Sequence, residues 1–294
     1  MTNCRALDAV DQKRLPKCFS TVTDAHVHLF PDPIFQAIWR WFDQFAWPVR
    51  YKLTSPQIIE FLLSREVNRV VGLHYAHKPG MARQLNTYMA GLCRANSRLT
   101  GTATVFPGEK NAADILKEAF GLGLAAVKLH AHVQYFAPDD SVMHEIYETC
   151  ANYDKPLIMH VGKEPKNPNF PYKRDPYQTC DADKLEQVLK DYPSLKICVP
   201  HLGADEFDQY KRLLESYDNL WLDTAMVLVD YVPGFKVPRL TELRSDRIMF
   251  GTDFPNIPYA WDTEVRQLGK LQLPHDFLAG ILDRNAAEFL SGNI

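Results

Sequence analysis

Histidines 26 and 28 stand one residue apart in TDAHVHLF, residues 23–30, where an apolar run ends. Side chains two apart on a β-strand point to the same side, so this pair offers two imidazoles to one point. Alone, the pair suits a hydrogen-bonded core as well as a metal site. Three more residues in similar settings weigh for the metal. His160 closes an apolar run in LIMHVG, His201 follows one in VPHLGAD, and Asp253 follows one in FGTDFP. Three imidazoles and a carboxylate suit one divalent transition metal with an open position. Zn²⁺ is the first expectation, with Mn²⁺ or Fe²⁺ as alternatives. An ion of that kind activates water near neutral pH, polarises a carbonyl or holds a carboxylate. His201 is then the natural acid/base, because a free imidazole titrates close to neutrality. Asp253 can ligate the ion, orient its water or take a proton from it, and the residue types leave these roles open.

Other polar residues fall near the same run ends. Lys128 and His130, in AAVKLHAH, share a strand face, and either can contact substrate beside a single ion. His132 reads as a loop residue. His74 and His77, in LHYAHKPG, read as exposed loop residues, with His74 kept as a substrate candidate. Arg50, Lys163 and Arg174, with Lys78, are the cations available to grip an anionic substrate, although such residues are more often solvated. Asp24 sits deeper on the first run and reads as a structural hydrogen-bonding group.

Eight apolar runs supply the elements that must position these side chains: residues 21–25, 69–73, 100–106, 125–129, 156–160, 196–200, 219–223 and 247–252. Their broad apolarity suits strands covered on both faces. Between them the spacing becomes helical, as in Ile58, Phe61, Leu62 and in Leu185, Val188, Leu189, Tyr192. Thr54 and Ser55 before Pro56, and Asp181 before ADKLEQ, are helix starts. A last helix is expected over about 275–291. Eight strand–helix alternations predict a parallel sheet with right-handed crossovers. The fold class is therefore α/β, and the architecture a single (β/α)8 TIM barrel. The competing open, doubly wound sheet would call for a GxGxxG turn after the first strand, and none is there. In a barrel the polar residues converge at the C-terminal mouth, where substrate loops sit. Two connections are long: residues 29–54, aromatic-rich, and residues 161–181, proline-rich and basic. We expect one domain over 1–294, with residues 1–20 as an N-terminal extension.

Bulk composition agrees. Of 294 residues, 46% are hydrophobic, enough for a large core, and the formal charge is −3 without a basic stripe. Nucleic acid is thus an unexpected partner. No run approaches about 20 apolar residues, so no membrane span is expected. Six scattered cysteines without a CxxC pair, and a polar N-terminus, suggest a cytoplasmic protein with reduced thiols.

The motifs DAHVHLF, VKLH, MHVG, PHLG, FGTDFP and DRNAAEFL, in this order from about residue 21 to 291, resemble the amidohydrolase superfamily. The nearest likeness is its amidohydrolase-related branch of metal-dependent barrel hydrolases and decarboxylases. The resemblance implies metal ligation by His26, His28, His160 and Asp253, and an acid/base or water-orienting role for His201. It implies one metal and an uncarboxylated Lys128, where other members carboxylate this lysine to bridge two ions. MHVG departs from the more frequent His-Thr-Gly or His-Pro-Gly, which keeps the ligand but changes its neighbour. Some aromatic-acid decarboxylases of the branch carry Glu at the first histidine, and this chain has His26. The expected activity is hydrolysis of an amide, ester or lactone in a small carboxylated substrate, through metal-activated hydroxide. The alternative is non-oxidative decarboxylation of an unsaturated or aromatic acid. A homodimer is expected by analogy.

Overall fold

The computed structural model describes residues 10–17, 19–163, 167, 170–229, 231 and 239–291. Eight strands run parallel in sequence order: β1 (Thr23–His28), β2 (Arg69–Leu73), β3 (Leu99–Ala103), β4 (Ala126–His130), β5 (Leu157–His160), β6 (Ile197–Val199), β7 (Leu220–Asp223) and β8 (Ile248–Met249). The helices between them are α1 (Asp32–Phe45), α2 (Ser55–Leu63), α3 (Ala82–Ala95), α4 (Ala112–Gly121), α5 (Ala131–Gln134), α6 (His144–Asn152), α7 (Pro176–Thr179), α8 (Ala182–Asp191), α9 (Phe207–Ser216) and α10 (Thr263–Lys270). This is the (β/α)8 TIM barrel that the alternation predicts.

β8 is shorter than the 247–252 run because the chain leaves the ladder early. It stays tied to β1 by Ala25 N to Phe250 O at 2.8 Å, Asp253 N to His26 O at 3.0 Å and His28 N to Phe254 O at 2.8 Å. Asp24 adds a polar rivet, accepting from the Thr252 hydroxyl at 2.6 Å and from the His26 and Thr252 amides, both at 3.1 Å. That is the structural role expected for it. The expected last helix is two, His275–Ala279 and Asn285–Leu290, joined by a wider π-type turn.

Val71, Leu73, Ala126, Ile158, Cys198, Trp221 and Met249 pack together inside the barrel, as the inward layers of such folds do. On β4 the same face continues upward through Lys128 to His130. Pairing aligns Lys128 with Ile158 and His130 with His160. Polar chemistry thus begins where the apolar plug stops.

The long connection after β1 forms α1, which starts at Pro31–Asp32–Pro33 as its prolines allow. Trp41 and Phe45 of α1 pack against Phe170 of the β5 connection at 5.4 and 5.2 Å between rings. Phe42 meets Trp47 at 5.2 Å, and Trp47 meets Tyr231 at 5.6 Å. The Trp47 indole donates to Asn256 O at 2.7 Å. Aromatic rings therefore lace together the loops at the barrel mouth. Among the described residues, no helix is long and apolar enough to cross a membrane.

Candidate metal centre

β1 and β8 bring three donors to one point. His26 Nε2 and His28 Nε2 lie 3.3 Å apart, and Asp253 Oδ1 is 3.2 Å from the first and 2.9 Å from the second. A divalent ion with bonds of about 2.1 Å would hold its donors about 3.0 Å apart at 90° and about 3.4 Å apart at the tetrahedral angle. The triangle has the edges of a coordination shell, so these residues fit a metal. A register slip between Asp24 and Val27 on β1 helps to aim the pair. A turn with Asp253 at φ 64° presents the carboxylate. Gly251 leaves the room: a Cβ there would stand 2.7 Å from His26 Cβ. Gly251→Ala is therefore expected to push β1 outward, costing about 1–3 kcal/mol of stability and about tenfold or more in metal affinity. Thermal melting and a metal titration of the variant check both.

Asp223, at the end of β7, organises the imidazoles. Its Oδ2 accepts from His26 Nδ1 at 2.8 Å, and its Oδ1 accepts from the His201 and Ala225 amides at 3.0 and 3.1 Å. A carboxylate on Nδ1 fixes the histidine tautomer and leaves Nε2 free to ligate. His201 Nδ1 donates to Ala225 O at 2.8 Å. That carbonyl only accepts, so the His201 proton is fixed on Nδ1 and Nε2 is the exchangeable position. The chain turns sharply there, with positive φ at His201, Leu202 and Gly203. Only glycine fits the last of these, since a Cβ would strike the Tyr210 ring at 2.0 Å.

His160 stands one ring away from the triangle. Its ring lies 4.6 Å from that of His201, which lies 5.3 Å from that of His26. His160 also stacks on its register partner His130 at 3.9 Å and 10°. Among the described residues, the donors that all lie within 4.8 Å of one another are His26, His28 and Asp253.

Electrostatics sets His28, His160 and Asp253 in donor states and draws a proton to His26. Burial pushes His28 down to about 4 against the pull of Asp253. Burial, with the charges of His201 and Lys128, holds His160 well below the imidazole range. Burial works against a charge on His26, but Asp223 and Asp253 outweigh it and lift its pKa. Burial would raise Asp253, yet the two imidazoles hold it well below the usual carboxylate range. A metal needs neutral imidazoles and an ionised carboxylate: His28, His160 and Asp253 are already in those states, and His26 must give up its Nε2 proton when an ion binds.

The remaining candidates are placed differently. Lys128 is fully buried on the inward face of β4. His74 is not in an exposed loop. It follows inward-facing Leu73 and so turns the other way, fully buried, with Nε2 3.2 Å from Asn86 of α3. Arg50, Lys163 and Arg174 each have acidic company: Arg50 with Asp11 at 3.1 Å, Lys163 with Asp181 at 2.7 Å and Glu206 at 3.2 Å, Arg174 with Asp140 at 2.9 Å. His132 Nε2 bonds Gly162 O at 3.1 Å. Two residues were missed by reading the sequence. Asp223 is the last residue of the NLWLD run, the same signal that marks His160. Tyr75 is two residues beyond Leu73 on the inward face of β2, where alternation places it beside His28 and His130.

Two histidines and an aspartate that could hold a metal ion thus converge at the C-terminal mouth of a parallel barrel. The chain belongs to the amidohydrolase family, whose sequence model matches residues 23–291. The fold is shared with 5-carboxyvanillate decarboxylase from Sphingomonas paucimobilis at 16% identity and a TM-score of 0.68, covering 92% of this chain and 99% of that one. It is shared too with the Novosphingobium aromaticivorans 5-carboxyvanillate decarboxylase, solved with manganese and a nitrobenzoic acid, at 14% identity and 0.69, covering 96% and 99%. A 2,6-dihydroxybenzoate decarboxylase matches at 14% and 0.66, covering 92% and 99%. Among curated proteins, no sequence matches the chain.

Proposed function

We propose that the chain is a metal-dependent, non-oxidative decarboxylase of an unsaturated or aromatic carboxylic acid. The observation that carries this reading is the burial of the site. His26, His28, His160, His201 and Asp253 are each at most 8% exposed. Low exposure of these groups favours a carboxylate that surrenders its charge as CO2. The decarboxylases among the structural neighbours support the same reading.

His26, His28 and Asp253 would hold the ion, with His160 the further candidate ligand. A divalent ion held there would supply Lewis acidity toward a carboxylate of the substrate. Asp253 contributes its negative charge, and Asp223 keeps the His26 Nδ1 proton out of the site. His201 Nε2, protonated from solvent, would give its proton to the carbon that bears the carboxylate. The bond from that carbon to the carboxylate then breaks, CO2 leaves, and the electron pair restores the unsaturated system. Such a positioned acid contributes about 10²–10⁴-fold.

Hydrolysis of an amide, ester or lactone is the second reading, favoured by the family's own description as amidohydrolase. There His201 Nε2 takes a proton from the attacking water. Product analysis of the metal-loaded protein with carboxylated aromatics, lactones and amides separates the two. We expect release of CO2 and a product one carboxyl lighter. A product that has gained the elements of water would overturn the decarboxylase assignment.

A further inference from the structure

Tyr75 closes the side of the site that the metal-binding residues leave open. Its ring meets His28 edge-on at 5.9 Å and 82°, His130 at 4.9 Å and 76°, and Phe30 at 5.1 Å and 75°. Three buried tyrosines spend their hydroxyls on the protein: Tyr51 on Asp11, Tyr147 on Pro138 O, Tyr259 on Glu264. The Tyr75 hydroxyl makes no hydrogen bond among the described residues, and unlike that of Tyr210 it is not sealed from solvent. A phenol without a protein acceptor, its hydroxyl within reach of solvent, is free to donate to a ligand that displaces water. Two imidazoles lie in contact with it, and Lys128 is buried on the inward face of β4.

We propose that Tyr75 is a substrate-binding residue whose O–H donates to a carboxylate oxygen of the substrate, beside the imidazoles of His28 and His130. This rests on the reading of the substrate as a carboxylated ring or alkene. Burial and the charge of Asp253 raise the phenol's pKa, so it stays a donor throughout the neutral range. A neutral donor adds a hydrogen bond without adding a second positive charge beside Lys128. It favours a carboxylate over a carboxamide because a charged oxygen accepts more strongly than an amide carbonyl. The flanking rings of Phe30, Tyr75 and the stacked His130–His160 pair suit a flat ligand.

The test is Tyr75→Phe, which removes the hydroxyl and keeps the ring. Metal-loaded wild type and variant are titrated calorimetrically with benzoate and with benzamide. Benzoate should bind the variant about tenfold or more weakly, benzamide should weaken by less, and metal content and melting temperature should match wild type. Equal benzoate affinity in the two proteins overturns the proposal. So does loss of metal or of folding in the variant, which would make Tyr75 a structural residue, and so does failure of benzoate to bind the wild type. If benzoate binds, the variant weakens it and yet no acid releases CO2, then Tyr75 keeps this role and the decarboxylase reading falls alone.

Discussion

Asp253→Asn is expected to strip the protein of its metal and abolish turnover while leaving the fold in place. The carboxylate is the one negative donor in the triangle, 2.9 Å from His28 Nε2 and 3.2 Å from His26 Nε2. The imidazoles draw its pKa well below the usual carboxylate range against the effect of burial, so it is ionised at any working pH. An amide is isosteric but neutral, and it ligates a divalent cation far less well. The backbone ties of this residue, from its N to His26 O at 3.0 Å and from Asn256 N to its own O at 3.0 Å, do not depend on the side chain. The asparagine NH2 can also donate to an imidazole nitrogen, which satisfies the buried group. Metal content should therefore fall by more than the 10–100-fold that loss of an outer hydrogen bond costs, with the circular dichroism spectrum unchanged. Elemental analysis after dialysis reads this directly. His160→Ala makes the informative comparison, because His160 lies outside the triangle. Equal metal loss in both would make His160 a ligand, and a metal-replete Asp253→Asn would remove the centre as described.

The barrel and the convergence of His26 and His28 were legible in the chain because they rest on local patterns. Each strand is a run of residues buried on both faces, and His26 and His28 share a side by the period of two. The fates of the charged side chains were not legible, because they depend on partners far away in sequence. Arg50 meets Asp11 and Arg174 meets Asp140, and nothing local announces either pair. His74 and Tyr75 show the limit at closest range. They are neighbours, yet one faces Asn86 of α3 and the other faces the site. The parity was available from Leu73, which packs inside the barrel, but a histidine draws the eye before a tyrosine does. β8 shortens because the carboxylate at its end must turn into the mouth, with Asp253 at φ 64°, a backbone feature that apolarity does not encode.

Asp223→Asn should weaken metal binding by about 10–100-fold without destroying the site, through the position of one proton. The wild-type carboxylate divides its oxygens between two tasks. Oδ1 accepts from the amides of His201 and Ala225, and Oδ2 accepts from His26 Nδ1. An asparagine can keep its oxygen on the two amides, but its NH2 then faces His26 Nδ1. Two donors cannot share that contact, so the His26 proton must move to Nε2. There it points at His28 Nε2 and Asp253 Oδ1, into the space where a lone pair is needed. The flipped amide avoids this but sets NH2 against two backbone N–H groups, leaving them unsatisfied at about 1–3 kcal/mol each. Either way the ion competes with a misplaced proton rather than with a missing ligand. Raising the metal concentration should therefore restore occupancy and part of the activity in Asp223→Asn and not in Asp253→Asn. A chelator-competition titration measures the difference, and a wild-type affinity in Asp223→Asn would show that β7 plays no part in preparing His26 to bind.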